Sequence, residues 1–201
     1  QKRVIGDGKS ALMGGFNGDR SYFGAAGEPL AWCDLGLMVK GPWAVSLERW
    51  FDALAHWTID TKQHFRRLRQ LVRAWQPGEG PGVWLVGGPT RQLNNWARKV
   101  KSDLETGGRL DLVAAYFSPS PGMIRRINRI ARREGASLIT PSKSDNTATI
   151  GAARHLYRRL LRAGVQIFEY RPQKLHMKLI VIDDVTYVGS ANFDMRSLFL
   201  N

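Results

Sequence analysis

The sequence predicts an α/β protein of two similar halves, each a mixed β-sheet flanked by helices. Three observations carry this. From Val83 onward, short apolar runs alternate with segments of helical period. A Lys-x4-Asp unit followed by a pair of small residues and an Asn stands near both ends of the chain. Between the two units, Gln76-Pro77-Gly78-Glu79-Gly80-Pro81-Gly82 concentrates the residues that break regular structure.

Taken in order, Leu35–Val39 reads as a strand and Pro42–Trp57 as a helix opened by its proline. Trp43, Trp50 and Trp57, spaced by seven, mark one face of that helix, for packing or for a lipid interface. The breaker cluster divides the chain into residues 1–76, expected to be the C-terminal part of a first half, and 77–201, a second half. Val83–Val86 is a short apolar run, Thr90–Glu105 is helix-forming, and Leu110–Phe117 reads as a buried strand. Pro121–Glu134 is a helix ended by Gly135, Ala136–Thr140 a strand stopped by Pro141, and Ile150–Ala163 a helix closed by Gly164. Val165–Tyr170, Leu175–Ile182 and Thr186–Val188 complete the strands.

Composition narrows the partners. Of 201 residues, 43% are hydrophobic and 23% charged, a globular balance that excludes a disordered chain. Lys and Arg outnumber Asp and Glu by 30 to 17, a net charge of +13 and a pI near 10.5. That points to an anionic partner: nucleic acid, an acidic lipid surface or a phosphorylated substrate. Pro121–Lys174 holds twelve of the basic residues against Glu134, Asp145 and Glu169. In its first helix Ile124, Ile127 and Ile130 form an apolar stripe flanked by Arg125, Arg126, Arg129, Arg132 and Arg133. In its second, Ala153, Leu156, Tyr157, Leu160 and Leu161 alternate with Arg154, Arg158, Arg159 and Arg162. The single cysteine, Cys33, excludes an intramolecular disulfide framework and suits a reducing compartment. No apolar stretch approaches the roughly 18 residues of a membrane span. The chain begins at Gln1 without Met or a signal-peptide core, so it is expected to be cut from something longer.

The repeat carries the chemistry. Lys2-Arg3-Val4-Ile5-Gly6-Asp7 precedes Gly14-Gly15-Phe16-Asn17; Lys178-Leu179-Ile180-Val181-Ile182-Asp183 precedes Gly189-Ser190-Ala191-Asn192. The lysines are 176 apart and the asparagines 175, so one loop differs by a residue. The second copy adds His176, which on a strand shares a face with Lys178. Ser190 and Asn192 follow a tight hairpin and are placed to converge on the same spot. Imidazole, ammonium, amide and hydroxyl together suit a tetrahedral phosphate, and the histidine can act as nucleophile or proton carrier near neutral pH. Alternation puts Asp183 on the opposite face, as a support rather than a phosphate contact. His56, His64 and His155 have no carboxylate or cysteine at ligand spacing and read as structural or solvated.

These residues resemble the phospholipase D superfamily, whose signature is H-x-K-x4-D followed by G-[GS]-x-N. The second copy matches it fully, and the first matches except that its histidine would fall just before Gln1. Trp32-Cys33-Asp34 with Lys40-Gly41-Pro42, Tyr116-Phe117-Ser118-Pro119, Pro141-Ser142-Lys143-Ser144-Asp145, and the Ala163–Pro172 stretch are similar to segments of bacterial cardiolipin synthases. Where those enzymes carry an acidic pair before a tyrosine, this chain has Asp19-Arg20-Ser21-Tyr22, leaving lipid, small alcohol and water all open as acceptor.

The resemblance implies two phospholipase D-like halves with the chain truncated inside the first. It implies phosphodiester exchange through a phosphohistidine, with phospholipid or nucleic-acid hydrolysis as the alternative. His176, Lys178, Asp183, Lys2 and Asp7 would be catalytic, and Ser190, Asn192 and Asn17 would bind phosphate, with no metal or cofactor. One histidine attacks phosphorus while the other moves protons; the residues leave open which is which. Lacking one, the 201-residue chain alone is expected to be inactive. The implied partners are an anionic, phosphatidylglycerol-like phospholipid and a bacterial membrane surface, reached peripherally or through upstream anchors, with nucleic acid as the alternative.

Overall fold

The computed structural model describes residues 3–22, 31–60, 65–75, 82–87, 94–144, 147–195 and 197. Its first part is a three-stranded antiparallel sheet of β1 (Arg3–Gly6), β2 (Ser10–Gly14) and β4 (Gly36–Lys40), in that order. Between β2 and β4 lie a 3-10 turn at Arg20–Tyr22 and the short β3 (Trp32–Cys33). Helix α1 (Pro42–Ile59) leaves the sheet through Gly41, whose φ of 80° a side chain would resist, and α2 (Phe65–Ala74) follows. Ala11, Val39, Ala44, Leu47 and Trp84 form a small core here. Trp43 packs on Trp84 at 4.6 Å between ring centroids and Trp50 on Trp75 at 5.1 Å, so these two tryptophans of the α1 stripe pack within the fold. His56 and His155 are exposed, and His64 lies outside the described residues.

The second part opens with α3 (Asn95–Thr106), capped by the Asn94 side chain, which accepts from Ala97 N at 2.9 Å. Then come β5 (Leu110–Ala114), β6 (Phe117–Ser118), α4 (Pro121–Arg133), β7 (Ala136–Pro141), α5 (Thr147–Leu161), β8 (Val165–Tyr170), β9 (Lys174–Leu175), β10 (Lys178–Ile182), β11 (Val185–Val188) and β12 (Phe193–Asp194). Five of these strands make one mixed sheet in the order β11-β10-β5-β7-β8; β5, β7 and β8 are parallel, and β10 and β11 antiparallel. Burial alternates along β5 and β10, and Leu110, Leu112, Ile180 and Ile182 join Leu104, Ile124, Ile127, Ile130 and Leu160 in the main core. Helix α4 starts on a Ser120 cap and ends before Gly135, which has φ 108°. No helix among the described residues is long and apolar enough to cross a membrane.

Three expectations are corrected. Leu110–Phe117 and Leu175–Ile182 are not continuous strands: each breaks, at Ala115–Tyr116 and at His176–Met177. The breaks face each other, joined by Ala115 N donating to Met177 O at 3.2 Å, because both chains change partners there. Beyond them β6 pairs with β12, and β9 with β3. Leu161, placed by periodicity on the buried side of α5, is 55% exposed, because the helix ends there and the chain turns away.

The two repeat units form matching hairpins. Asp7 and Asp183 both sit in the turn with positive φ, 53° and 50°. Three residues separate the pair Gly6 and Ser10, and two separate Ile182 and Val185, which accounts for the one-residue difference in spacing.

Candidate functional site at His176

The site forms where two short strands from distant parts of the chain meet. β3 and β9 pair in parallel, Trp32 opposite Lys174 and Cys33 opposite Leu175, and the ladder runs one step further as His176 N donates to Cys33 O at 2.8 Å. That step lays Asp34 beside His176. Their side chains meet at 2.8 Å between Oδ2 and Nδ1, with both almost fully buried. The other Asp34 oxygen accepts from Leu35 N at 2.8 Å. A β-carbon on Gly15 would stand 2.6 Å from Asp34 Oδ1, so the second glycine of the first motif makes room for this carboxylate. A carboxylate accepts only, so Nδ1 carries the proton and Nε2 keeps the lone pair that attack on phosphorus or proton transfer requires.

Lys178 closes the other side. Its Nζ is 3.1 Å from both ring nitrogens and donates to His176 O at 2.5 Å. His176 and Lys178 thus meet although His176 lies outside the strand, a correction to the expectation that one strand carries both. Three aromatic rings stand edge-on around the imidazole: Tyr22 and Trp32 at 5.5 Å between centroids, and Tyr116 at 6.0 Å. Tyr22 and Trp32 stack nearly parallel at 5.6 Å, and Lys174 Nζ lies 5.1 Å from the centre of Trp32. The result is a histidine only 5% exposed, flanked by one carboxylate and one ammonium.

The other expected residues distribute as follows. Asn17 donates through Nδ2 to the Tyr22 hydroxyl at 3.2 Å, which ties the first-motif asparagine to the ring wall of the second-motif histidine. Asp19 accepts from Ser21 N and Oγ, fixing the turn that presents Tyr22; these bonds hold its carboxyl below the usual range. Ser190 and Asn192 border the same cavity as Lys178. Asp183 accepts from Arg109 N at 2.8 Å and from Gly108 N at 3.0 and 3.1 Å, and these backbone donors lower its pKa. It therefore ties the β10–β11 hairpin to the loop before β5. Asp7 is exposed in the equivalent turn, and Lys2 lies outside the described residues.

Four of the arginines stand away from this site. Arg132 and Arg133 end α4, and Arg158 and Arg159 end α5, where β7 and β8 begin. Lys178 instead pairs with Ala114, at the finish of β5, so His176 sits at the opposite end of the sheet. At the helix C-termini these cations offset the partial negative charge of the last carbonyls. Arg126 pairs with Glu105 and Arg154 with Glu169, while Arg125, Arg129 and Arg132 are exposed.

The role of Asp34 is not legible in the sequence, where it stands only as part of a segment similar to cardiolipin synthases. Tyr22, Trp32 and Tyr116 were missed in the same way. The one available signal was Asp34 standing directly before a strand in a chain poor in carboxylates.

Residues 104–201 match the profile of the family described as cardiolipin synthase, PLD-like domain. Cardiolipin synthase 2 of Bacillus cereus is 30% identical over all of this chain and 40% of its own length. Cardiolipin synthase 2 of Bacillus anthracis is 31% identical over the same shares. Cardiolipin synthase B of Salmonella typhi is 28% identical over all of this chain and 49% of its own length. The chain thus spans less than half the length of these curated relatives. The His176–Lys178 constellation lies inside the segment that matches the phospholipase D-like domain of cardiolipin synthases, and the whole chain is similar to those enzymes.

Proposed function

We propose that the chain is the phosphoryl-handling part of a phosphatidyltransferase of cardiolipin synthase type. The carrying observation is the buried Asp34–His176–Lys178 constellation within a chain similar to those enzymes throughout. Residues 1–76 would complete a first phospholipase D-like half and 77–201 form the second. One motif imidazole attacks phosphorus of a phosphatidylglycerol-like lipid, forming an N–P bond as the glycerol oxygen leaves with a proton from the other histidine. The hydroxyl of a second lipid then gives its proton to that histidine and displaces the imidazole. Lys178 and Lys2 neutralise the phosphoryl oxygens, with Asn192, Ser190 and Asn17 as directed donors. Asp183 and Asp7 support through their hairpins. Asp34 sets the Nδ1–H tautomer of His176.

The test uses the chain extended upstream to the first-motif histidine, incubated with phosphatidylglycerol vesicles and, separately, with a DNA duplex. The expected result is free glycerol and diphosphatidylglycerol, abolished by His176→Ala in a folded protein. Cleavage of DNA with no lipid turnover would replace this reading by the nuclease one.

A further inference from the structure

We propose that the cavity bordering Lys178 seats an alkyl chain of an amphiphile whose phosphate lies at Lys178 and Asn192. This rests on the phosphoryl-transfer reading of the His176 site and adds the place where the apolar part of the ligand goes.

The cavity measures about 830 Å³, within the roughly 300–1,000 Å³ of small-molecule sites. Its lining runs from α1 and α2, along residues 82–87, to β10 and β11. The walls toward α1 and α2 are apolar, with Leu47, Trp50, Leu54 and Val72. Lys178, Ser190 and Asn192 line the same cavity. The Asn192 side-chain oxygen is buried without a hydrogen-bond partner among the described residues. An amide in that position presents either its oxygen or, turned by half a revolution, its N–H groups. The lining thus offers a buried cation and an unsatisfied amide beside Leu, Val and Trp side chains. A phosphate-headed alkyl chain matches both features.

The probes are inorganic phosphate, butyl, octyl and dodecyl phosphate, and an uncharged dodecyl glycoside, each below its micelle concentration, followed by calorimetry and tryptophan emission on the 201-residue chain. Affinity should rise about three- to fourfold per added methylene and level off once the cavity is full. Lys178→Met should weaken every phosphate probe and leave the chain-length slope unchanged. Leu54→Trp should flatten the slope while inorganic phosphate binds as before, and Val188→Phe, on another wall, repeats the test should the first variant misfold. A flat series with phosphate binding intact overturns the cavity assignment and leaves the phosphoryl-transfer reading standing. A slope that persists in both filled variants, or a glycoside bound as tightly as dodecyl phosphate, overturns it too. Failure of every phosphate probe overturns both readings.

Discussion

The Asp34 carboxylate lies 2.8 Å from Nδ1 of His176, a residue 142 positions further along the chain, and Gly15 leaves the space it needs. In Asp34→Asn the amide can donate to Nδ1 as readily as accept, so the imidazole is free to take the other tautomer. Turnover of the extended chain should fall by about 10²–10⁴-fold, the usual scale of proton-transfer contributions. Nitrogen chemical shifts of His176 should show the proton moving toward Nε2. Unchanged shifts and turnover would remove Asp34 from the mechanism.

Gly15→Ala should act through the same contact. Its β-carbon would stand 2.6 Å from Asp34 Oδ1, so the carboxylate must move. Overpacking of this kind lowers stability by about 1–3 kcal/mol, readable as a fall in urea midpoint. Joined with Asp34→Ala, the loss of activity should be no larger than from Asp34→Ala alone, since both act on one contact. Additive losses would mean that Gly15 serves something else.

Asp183 should govern acid stability rather than turnover. Backbone donors from Arg109 and Gly108 hold its folded pKa below the unfolded value of about 3.9. A depressed carboxylate contributes stability that is complete above the unfolded pKa and is lost as pH falls through the folded one. Asp183→Asn keeps a residue that tolerates the positive φ at this turn. It should lower the melting temperature at pH 7, with the gap to wild type closing as pH drops below about 4. Activity per folded molecule should persist. Loss of all activity at an unchanged melting temperature would place the carboxylate on the substrate.

Lys178→Met removes a buried cation 3.1 Å from the imidazole nitrogens. Loss of one directed charge or donor lowers turnover by on the order of 10²–10³-fold. Lys178→Arg should not restore it, because the planar guanidinium does not fit an ammonium enclosed at this distance. Full rescue by Arg would show that charge alone matters.

Arg125, Arg129 and Arg132 are exposed on α4. If α4 meets an anionic bilayer, reversing the three to Glu should release the protein from phosphatidylglycerol vesicles, at roughly 1 kcal/mol for each basic residue near the surface. Wild-type binding should weaken with salt and be absent on neutral vesicles. Equal binding to neutral vesicles would point to apolar contact instead.

Much of the fold was legible because it is local. The Ile124, Ile127 and Ile130 stripe, the Ser120–Pro121 start and the Gly135 stop specify α4 without reference to anything else. The breaks at Ala115–Tyr116 and His176–Met177 were not legible, since apolar residues continue through both and only a change of strand partner interrupts them. His176 and Lys178 were recognisable by type and spacing. Asp34 and the rings of Tyr22, Trp32 and Tyr116 come to His176 through tertiary pairing, which no local period records.

The pairing of β3 with β9 has a consequence for how the protein comes into being. It joins only two residues on each side and closes a loop of 142 residues. Contacts so distant in sequence form late in folding, and on a ribosome Asp34 waits for His176 while 142 further residues are made. So short a ladder also belongs to the low-stability end of local opening. Mild denaturant should therefore separate Asp34 from His176 while β5, β7 and β8 still exchange their amides slowly. The Asp34–His176 contact is thus expected to be the last part of this site to form and the first to open.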